Sequence, residues 1–196
     1  SRNVDIFVQT QSIDDPAASK ANGLVLSDIR DSSATSELAR NCCSVTFENE
    51  WVNITELLLL ENQGAHFVPP LQALEPLVNK ISQRKLLDQL SIPGPDWVDL
   101  TSTESKGFKL PDGWNFPVMA KSARGGYDGK GTKAIKDSVE LSKFLDFVDT
   151  KDWFLERWVQ YQTELALVAS RHSNGQIRTF PIAETKQTQQ VCDWVL

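Results

Sequence analysis

Residues Ala120 to Lys133 read AKSARGGYDGKGTK, and the fold expected for the second half of the chain turns on this stretch. Four glycines, Gly125, Gly126, Gly129 and Gly131, fall within seven residues beside Tyr127, Asp128 and the cations Lys121, Arg124, Lys130 and Lys133. Glycine lets a backbone approach a ligand closely and aims several N–H groups at an anion. The stretch lacks the Gly-Lys-Ser/Thr ending that opens a helix in a P-loop, and it is not GxGxxG. Between the strand-like runs Phe116 to Lys121 and Thr132 to Ile135, it reads as a Gly-rich hairpin joining antiparallel strands. Such a hairpin is either a phosphate-holding device or a mobile surface turn.

Toward the C-terminus, Asp137 to Val148 has helical character with Asp137 or Ser138 as N-cap. Strand-like runs follow at Trp153 to Val159, Glu164 to Ser170 and Ile177 to Pro181. The last two are joined by His172-Ser173-Asn174-Gly175, where Asn-Gly signals a hairpin. Toward the N-terminus, the prolines of IPGPDW, Ile92 to Trp97, stop a helical stretch carrying Leu71, Leu74, Leu77, Ile81, Leu86, Leu87 and Leu90. Before it, β-type runs Asp5 to Val8, Gly23 to Leu26 and Ser44 to Phe47 alternate with helix-compatible segments Pro16 to Lys20 and Ser33 to Arg40. That alternation argues for a parallel sheet of βαβ units. The expected fold class is therefore α/β: a parallel-sheet domain over 1–92 followed, from 93, by an α+β unit of a different kind.

Composition narrows the function. The chain has 196 residues, 40% hydrophobic and 23% charged, with a net charge of −6. It presents no basic face for a phosphate backbone, so nucleic acid is not an expected partner. Apolar runs such as Leu57 to Leu60 are far too short for a membrane span, and a soluble, cytoplasmic protein is expected. Cys42, Cys43 and Cys192 have no metal-ligand spacing and are expected to be reduced and mostly buried. Neither His66 nor His172 accompanies a nucleophile motif, which argues against a catalytic triad. The chain opens at Ser1 without methionine and enters a strand at once, so it reads as a piece of something longer.

GGYDGKG, Gly125 to Gly131, resembles the glycine loop of the 5-(carboxyamino)imidazole ribonucleotide synthase family within the ATP-grasp superfamily. TFENE at Thr46 to Glu50, the helix Lys80 to Leu90 followed by IPGP, and FLERWV at Phe154 to Val159 match that family in the same order. The resemblance implies that 1–92 is a partial parallel-sheet, Rossmann-like (pre-ATP-grasp) domain, that 93–183 is the central lid domain of the grasp, and that 184–196 starts a truncated C-terminal domain. It implies ATP phosphate contacts at Lys80 and Lys121 and along the loop of Gly125, Gly126, Gly129 and Gly131. Lys80 departs from the arginine common in relatives, keeping the charge and losing the bidentate fork. Glu156, Arg157, Trp158 and Val159 are implied to line the adenine, and Glu164 to accept the ribose hydroxyls. Tyr127, Asp128 and Lys130 match positions near the aminoimidazole ribonucleotide, with Glu48 and Glu50 as weaker candidates on that side. Gln187 stands where many relatives have histidine.

The activity implied by the resemblance is ATP- and bicarbonate-dependent carboxylation of aminoimidazole ribonucleotide. The magnesium ligands are expected in a later domain, the parent protein as a homodimer, and residues 1–196 alone as inactive. Another ATP-grasp carboxylase or ligase, and a non-catalytic nucleotide-binding module, are the competing readings.

Overall fold

A computed structural model describes residues 4–101, 107–125, 131–188 and 191–196. The chain falls into two compact units, Ser1–Ile92 and Pro93–Leu196.

In the first unit, β1 (Phe7–Thr10) and β2 (Gly23–Leu26) pair in parallel, with Phe7 opposite Gly23 and Thr10 opposite Leu26. Helix α1 (Ser32–Ala39) starts at Asp31, whose carboxylate accepts from the Ser33 and Ala34 N–H groups, satisfying donors that the first helical turn leaves open. Helix α2 (Ile54–Asn62), which the sequence reading did not anticipate, buries Ile54 and Leu57 three residues apart on one face. These residues, with Leu38, Val45, Phe67, Leu71 and Leu74, form the core of this unit.

Three sequence expectations differ from the observed elements of this unit. The stretch from Leu71 to Leu90 is not one helix: α3 (Leu71–Leu74) gives way to a 3₁₀ turn at Glu75–Leu77, and α4 (Lys80–Gln89) then begins. Pro76 has no N–H to continue the α-helical ladder, and Asn79 restarts it by accepting from the Ile81 and Ser82 N–H groups. Ser44 to Phe47 is not a strand; only Val45 is bonded, as an isolated parallel bridge to Phe67. Likewise Pro16 to Lys20 forms only a 3₁₀ turn at Ala18–Lys20.

In the second unit, β3 (Trp97–Asp99), β4 (Val118–Ser122), β5 (Thr132–Ile135) and β6 (Trp153–Arg157) form an antiparallel sheet in the order β3-β6-β4-β5. Helix α5 (Ser138–Phe147), capped by Asp137, packs Leu141, Phe144 and Leu145 with Val118, Ala120, Ile135 and Leu155. The Gly-rich stretch thus joins antiparallel neighbours, as its sequence suggests. The run expected from Glu164 to Ser170 divides into β7 (Glu164–Ala166) and β8 (Ala169–Arg171) because the two pieces take different partners. β8 forms the expected hairpin with β9 (Ile177–Thr179), while β7 joins β10 (Ala183–Thr188) and β11 (Val191–Val195) in the order β11-β10-β7.

The cysteines are free, with Cys42 half-buried and Cys43 and Cys192 exposed, so the expectation that they are mostly buried fails. Burial, and then the neighbouring Cys43, push the Cys42 thiol upward. Cys43 lies at a bend just past the turn that follows α1, and Cys192 on the edge strand β11, places where the chain offers no interior to a small side chain.

Two outcomes follow from this architecture. Hydrogen bonds from the Ser33 hydroxyl, then the Ser27 hydroxyl, pull the Asp31 carboxyl from 3.8 down to about 2. A depressed folded-state value adds stability above the unfolded value and loses it as pH falls through the folded one. Asp31→Asn should therefore lose less stability than the wild type on acidification from about pH 4 to about pH 2, measured by urea midpoints. Secondly, no described residue from Arg157 to Thr188 is buried, so the ladders of β7 to β10 have little apolar cover. Hydrogen exchange should be faster there than in β4 and β6; equal protection would contradict this account.

Candidate functional site: a lysine and a glutamate beside the Gly-rich hairpin

Alternation along β4 and β6 sorts the sheet into two faces. Val118, Ala120 and Leu155 turn toward α5 as part of its core. Lys121 pairs with Phe154 and Met119 with Glu156, so these four side chains occupy the opposite face. Lys121 and Glu156 are diagonal neighbours across the two strands, a separation that long side chains span. They meet with Lys121 Nζ 2.5 Å from Glu156 Oε2, a short, charge-assisted contact. The Glu156 side chain is 3% exposed and that of Lys121 is 30% exposed.

Burying a carboxylate costs several kcal/mol of hydration unless a cation offsets it. Lys121 supplies that cation from a side chain that stays partly exposed. It is also the last residue but one of β4, where the Ser122 N–H donates to the Gly131 carbonyl at 2.8 Å and closes the base of the hairpin. Gly125 has φ +68°, a conformation in which a side chain is strained. The arrangement is a half-exposed cation, fixed from below by a buried carboxylate, at the mouth of a Gly-rich turn.

The other candidate residues lie as follows. Gly126, Tyr127, Asp128, Gly129 and Lys130 fall outside the described residues. Lys80 is half-buried at the first position of α4, in the first unit. Arg157 turns away from Glu156 and pairs with Asp96 at 3.3 Å, both largely exposed. Trp158 and Val159 follow β6 and are 44% and 49% exposed. Glu164 opens β7 opposite Thr185, in a different sheet from Lys121. Gln187 is exposed on β10 at a bulge opposite Cys192. Lys121 and Glu156 are thus both expected site residues, and their meeting is a feature of the fold.

The first unit holds a cavity of about 700 Å³ lined by Thr10, Asp15, Thr35, Thr46, Glu48 and Asn49 together with apolar side chains. Glu48 lies on this cavity, whereas Glu50 does not line it. Thr10 donates its hydroxyl to Asp15, and Thr35 donates to Gln9 at 2.8 Å; none of these residues carried a motif that pointed to them. Among the described residues no group of three or more His, Cys, Asp or Glu side chains could hold a metal ion. No helix is long and apolar enough to cross a membrane.

Residues 85–196 match the ATP-grasp domain profile. The chain belongs to the ATP-grasp family. A curated N5-carboxyaminoimidazole ribonucleotide synthase from Synechocystis sp. is 42% identical over 191 residues, covering 97% of this chain and 47% of the relative. An N5-carboxyaminoimidazole synthetase from Staphylococcus aureus complexed with ADP superimposes with a TM-score of 0.86 at 23% identity, over 96% of this chain and 50% of that one. A synthase from Aspergillus clavatus in complex with ADP and 5-aminoimidazole ribonucleotide gives 0.83 at 22%, over 98% and 50%. At these structural identities the likeness establishes the ATP-grasp fold. The chain spans about half the length of the relatives it matches.

Removing the lysine tests the electrostatics of this ATP-grasp sheet directly. Lys121→Met should cost about 2 kcal/mol of unfolding free energy, discounted for the partial exposure of the ammonium. Adding Glu156→Gln to that variant should restore part of the loss. Urea unfolding reads both, and a Lys121→Met cost near zero would show that the pair carries no net stabilisation.

Proposed function

We propose that the polypeptide containing this chain uses ATP and bicarbonate to carboxylate the exocyclic amine of 5-aminoimidazole ribonucleotide, a step of purine biosynthesis. The observation that carries the reading is the 42% identity to a curated N5-carboxyaminoimidazole ribonucleotide synthase along almost the whole chain. The Lys121 ammonium beside the Gly-rich hairpin supports that reading, because it offers a cation to a phosphate.

In this reading a bicarbonate oxygen attacks the γ-phosphorus of ATP, forming carboxyphosphate and releasing ADP. The amine of the ribonucleotide then attacks the carboxyl carbon, phosphate leaves, and the nitrogen loses a proton. Phosphoryl transfer of this kind needs positioned cations and backbone donors more than covalent help from the protein. Lys80, Lys121 and the Gly125 to Gly131 loop supply them on the nucleotide side. The backbone from Glu156 to Val159 runs along the base, and Glu164 accepts from the ribose hydroxyls as a carboxylate can. Tyr127, Asp128 and Lys130 place the ribonucleotide, where correct orientation lowers the barrier by several kcal/mol.

Magnesium bound to the phosphates supplies charge neutralisation in such transfers. The described residues offer no ligand cluster for it, and its ligands belong to a later domain in this reading. The same reading makes the active protein a cytoplasmic homodimer and makes residues 1–196 inactive by themselves.

ADP release is the decisive assay. The full-length polypeptide, given ATP and bicarbonate, should release ADP faster when 5-aminoimidazole ribonucleotide is added, and residues 1–196 alone should show no turnover. A full-length protein that binds ATP without that stimulation has another ATP-grasp acceptor.

A further inference from the structure

We propose that Asn174, in the turn of the β8–β9 hairpin, is a site of spontaneous deamidation, and that the fold directs the reaction there and away from the other Asn-Gly pair of the chain, Asn22-Gly23.

The chemistry needs only water. The Gly175 backbone nitrogen gives its proton to solvent and attacks Cγ of Asn174. An imide ring closes, the bond from Cγ to the side-chain nitrogen breaks, and that nitrogen takes a proton from solvent and leaves as ammonia. Water then opens the ring at one carbonyl or the other, giving aspartate or the isoaspartyl form, in which the backbone runs through the former side chain. A following glycine favours closure because it puts no side chain in the way of the attacking nitrogen. On that ground alone the two pairs are equivalent.

Structure separates them. At Asn22 the reacting groups are built into the parallel sheet. The Asn22 N–H donates to the Ile6 carbonyl at 2.6 Å, and its side-chain oxygen accepts from the Ile6 N–H at 2.9 Å. Gly23 opens β2 opposite Phe7, whose ring lies so close that a Cβ on Gly23 would meet its Cδ1 at 2.6 Å. Phe7 and Val25 pack in turn against the core of the first unit. Swinging the Asn22 side chain over its own backbone breaks these bonds and loosens that packing.

At Asn174 the restraint is a turn. The Gly175 N–H donates to the His172 carbonyl at 2.9 Å, and the His172 N–H to the Gln176 carbonyl at 2.8 Å. The first of these holds the attacking nitrogen and must open before the ring can close. Little keeps it shut: β8 and β9 have three residues each, all exposed, and form a two-stranded sheet of their own. Such a hairpin is marginal in water, so local opening is cheap. A further contact assists the attack. The Gln176 N–H donates to Asn174 Oδ1 at 3.0 Å, the oxygen on which negative charge gathers as Cγ is attacked.

The two products differ in consequence. Aspartate at 174 keeps an oxygen for the Gln176 N–H and adds one negative charge. The isoaspartyl form withdraws that acceptor and adds a backbone atom inside the turn, which opposes the pairing of Ser170 with Arg178.

Peptide mass mapping of the full-length polypeptide, aged in mildly alkaline buffer, reads both sites, since deamidation replaces NH2 by OH and chromatography separates the two isomers. The same polypeptide unfolded in guanidinium chloride gives the rate that each site has without structure. The quantity compared is each site's folded rate divided by its unfolded rate, and this ratio should be about tenfold higher at Asn174 than at Asn22. A ratio at Asn22 that equals or exceeds the one at Asn174 overturns the proposal, and so does an Asn174 that stays intact in the folded protein while the unfolded chain reacts. Asn174→Gln should abolish the change in its peptide, because the longer side chain closes a ring reluctantly. The same mass gain persisting in that variant would move the reaction to Gln176 and sink the assignment.

Discussion

Strand β6 is buried on both faces, and much of the second unit follows from that. Phe154, Leu155 and Glu156 are consecutive and are 1%, 0% and 3% exposed. Alternation sends Leu155 into the apolar layer under α5 and its neighbours to the other side. A carboxylate at such a depth demands a cation within reach, and the pairing of β4 with β6 places Lys121 there. A one-residue slip of β4 would turn Lys121 into the α5 layer and leave Glu156 without its lysine. Register, ion pair and the base of the Gly-rich hairpin are thus one constraint.

The same reasoning ranks the other ion pairs. Arg30 with Asp28 and Arg157 with Asp96 are exposed on both sides, where water screens the attraction and two long side chains lose freedom. Lys133 with Glu140 is intermediate in exposure, and Lys133 also lies 5.8 Å above the Phe144 ring, which ties β5 to α5. Only Lys121 with Glu156 joins a buried carboxylate to a partly exposed cation among these four pairs. That asymmetry separates a site from surface decoration.

What was legible in the sequence was local. Gly23 to Leu26, Thr132 to Ile135 and the Asn-Gly hairpin at His172 to Gly175 stand where alternation and turn chemistry put them, because each is decided by neighbours in sequence. Asp137 caps α5 as a helix-starting aspartate should. Pro76 defeated the leucine periodicity from Leu71 to Leu90, a case of one backbone restriction outweighing a good apolar stripe. Helix α2 went unseen because LLLL, Leu57 to Leu60, has no helical period to read. The Gly-rich stretch pointed to an anion and, through family resemblance, to Lys121 and Glu156 as separate contributors. Their meeting was not legible: it depends on which strands become neighbours, and β4 and β6 lie on either side of a hairpin and a helix.

Positions that a nucleotide would touch are held with very different firmness. Lys121 sits on a four-stranded sheet backed by α5, with a buried carboxylate behind it, and removing any of these supports disturbs packing that the rest of the unit uses. Glu164 begins a three-residue strand whose neighbours in sequence are exposed, and among the described residues its ladder to β10 is the support that holds it. Stabilising charge during phosphoryl transfer requires donors that do not reorganise as the charge moves, whereas a contact to ribose hydroxyls tolerates adjustment. Rigid support therefore lies under the residue whose proposed task is electrostatic, and the lighter support lies under the one whose proposed task is recognition.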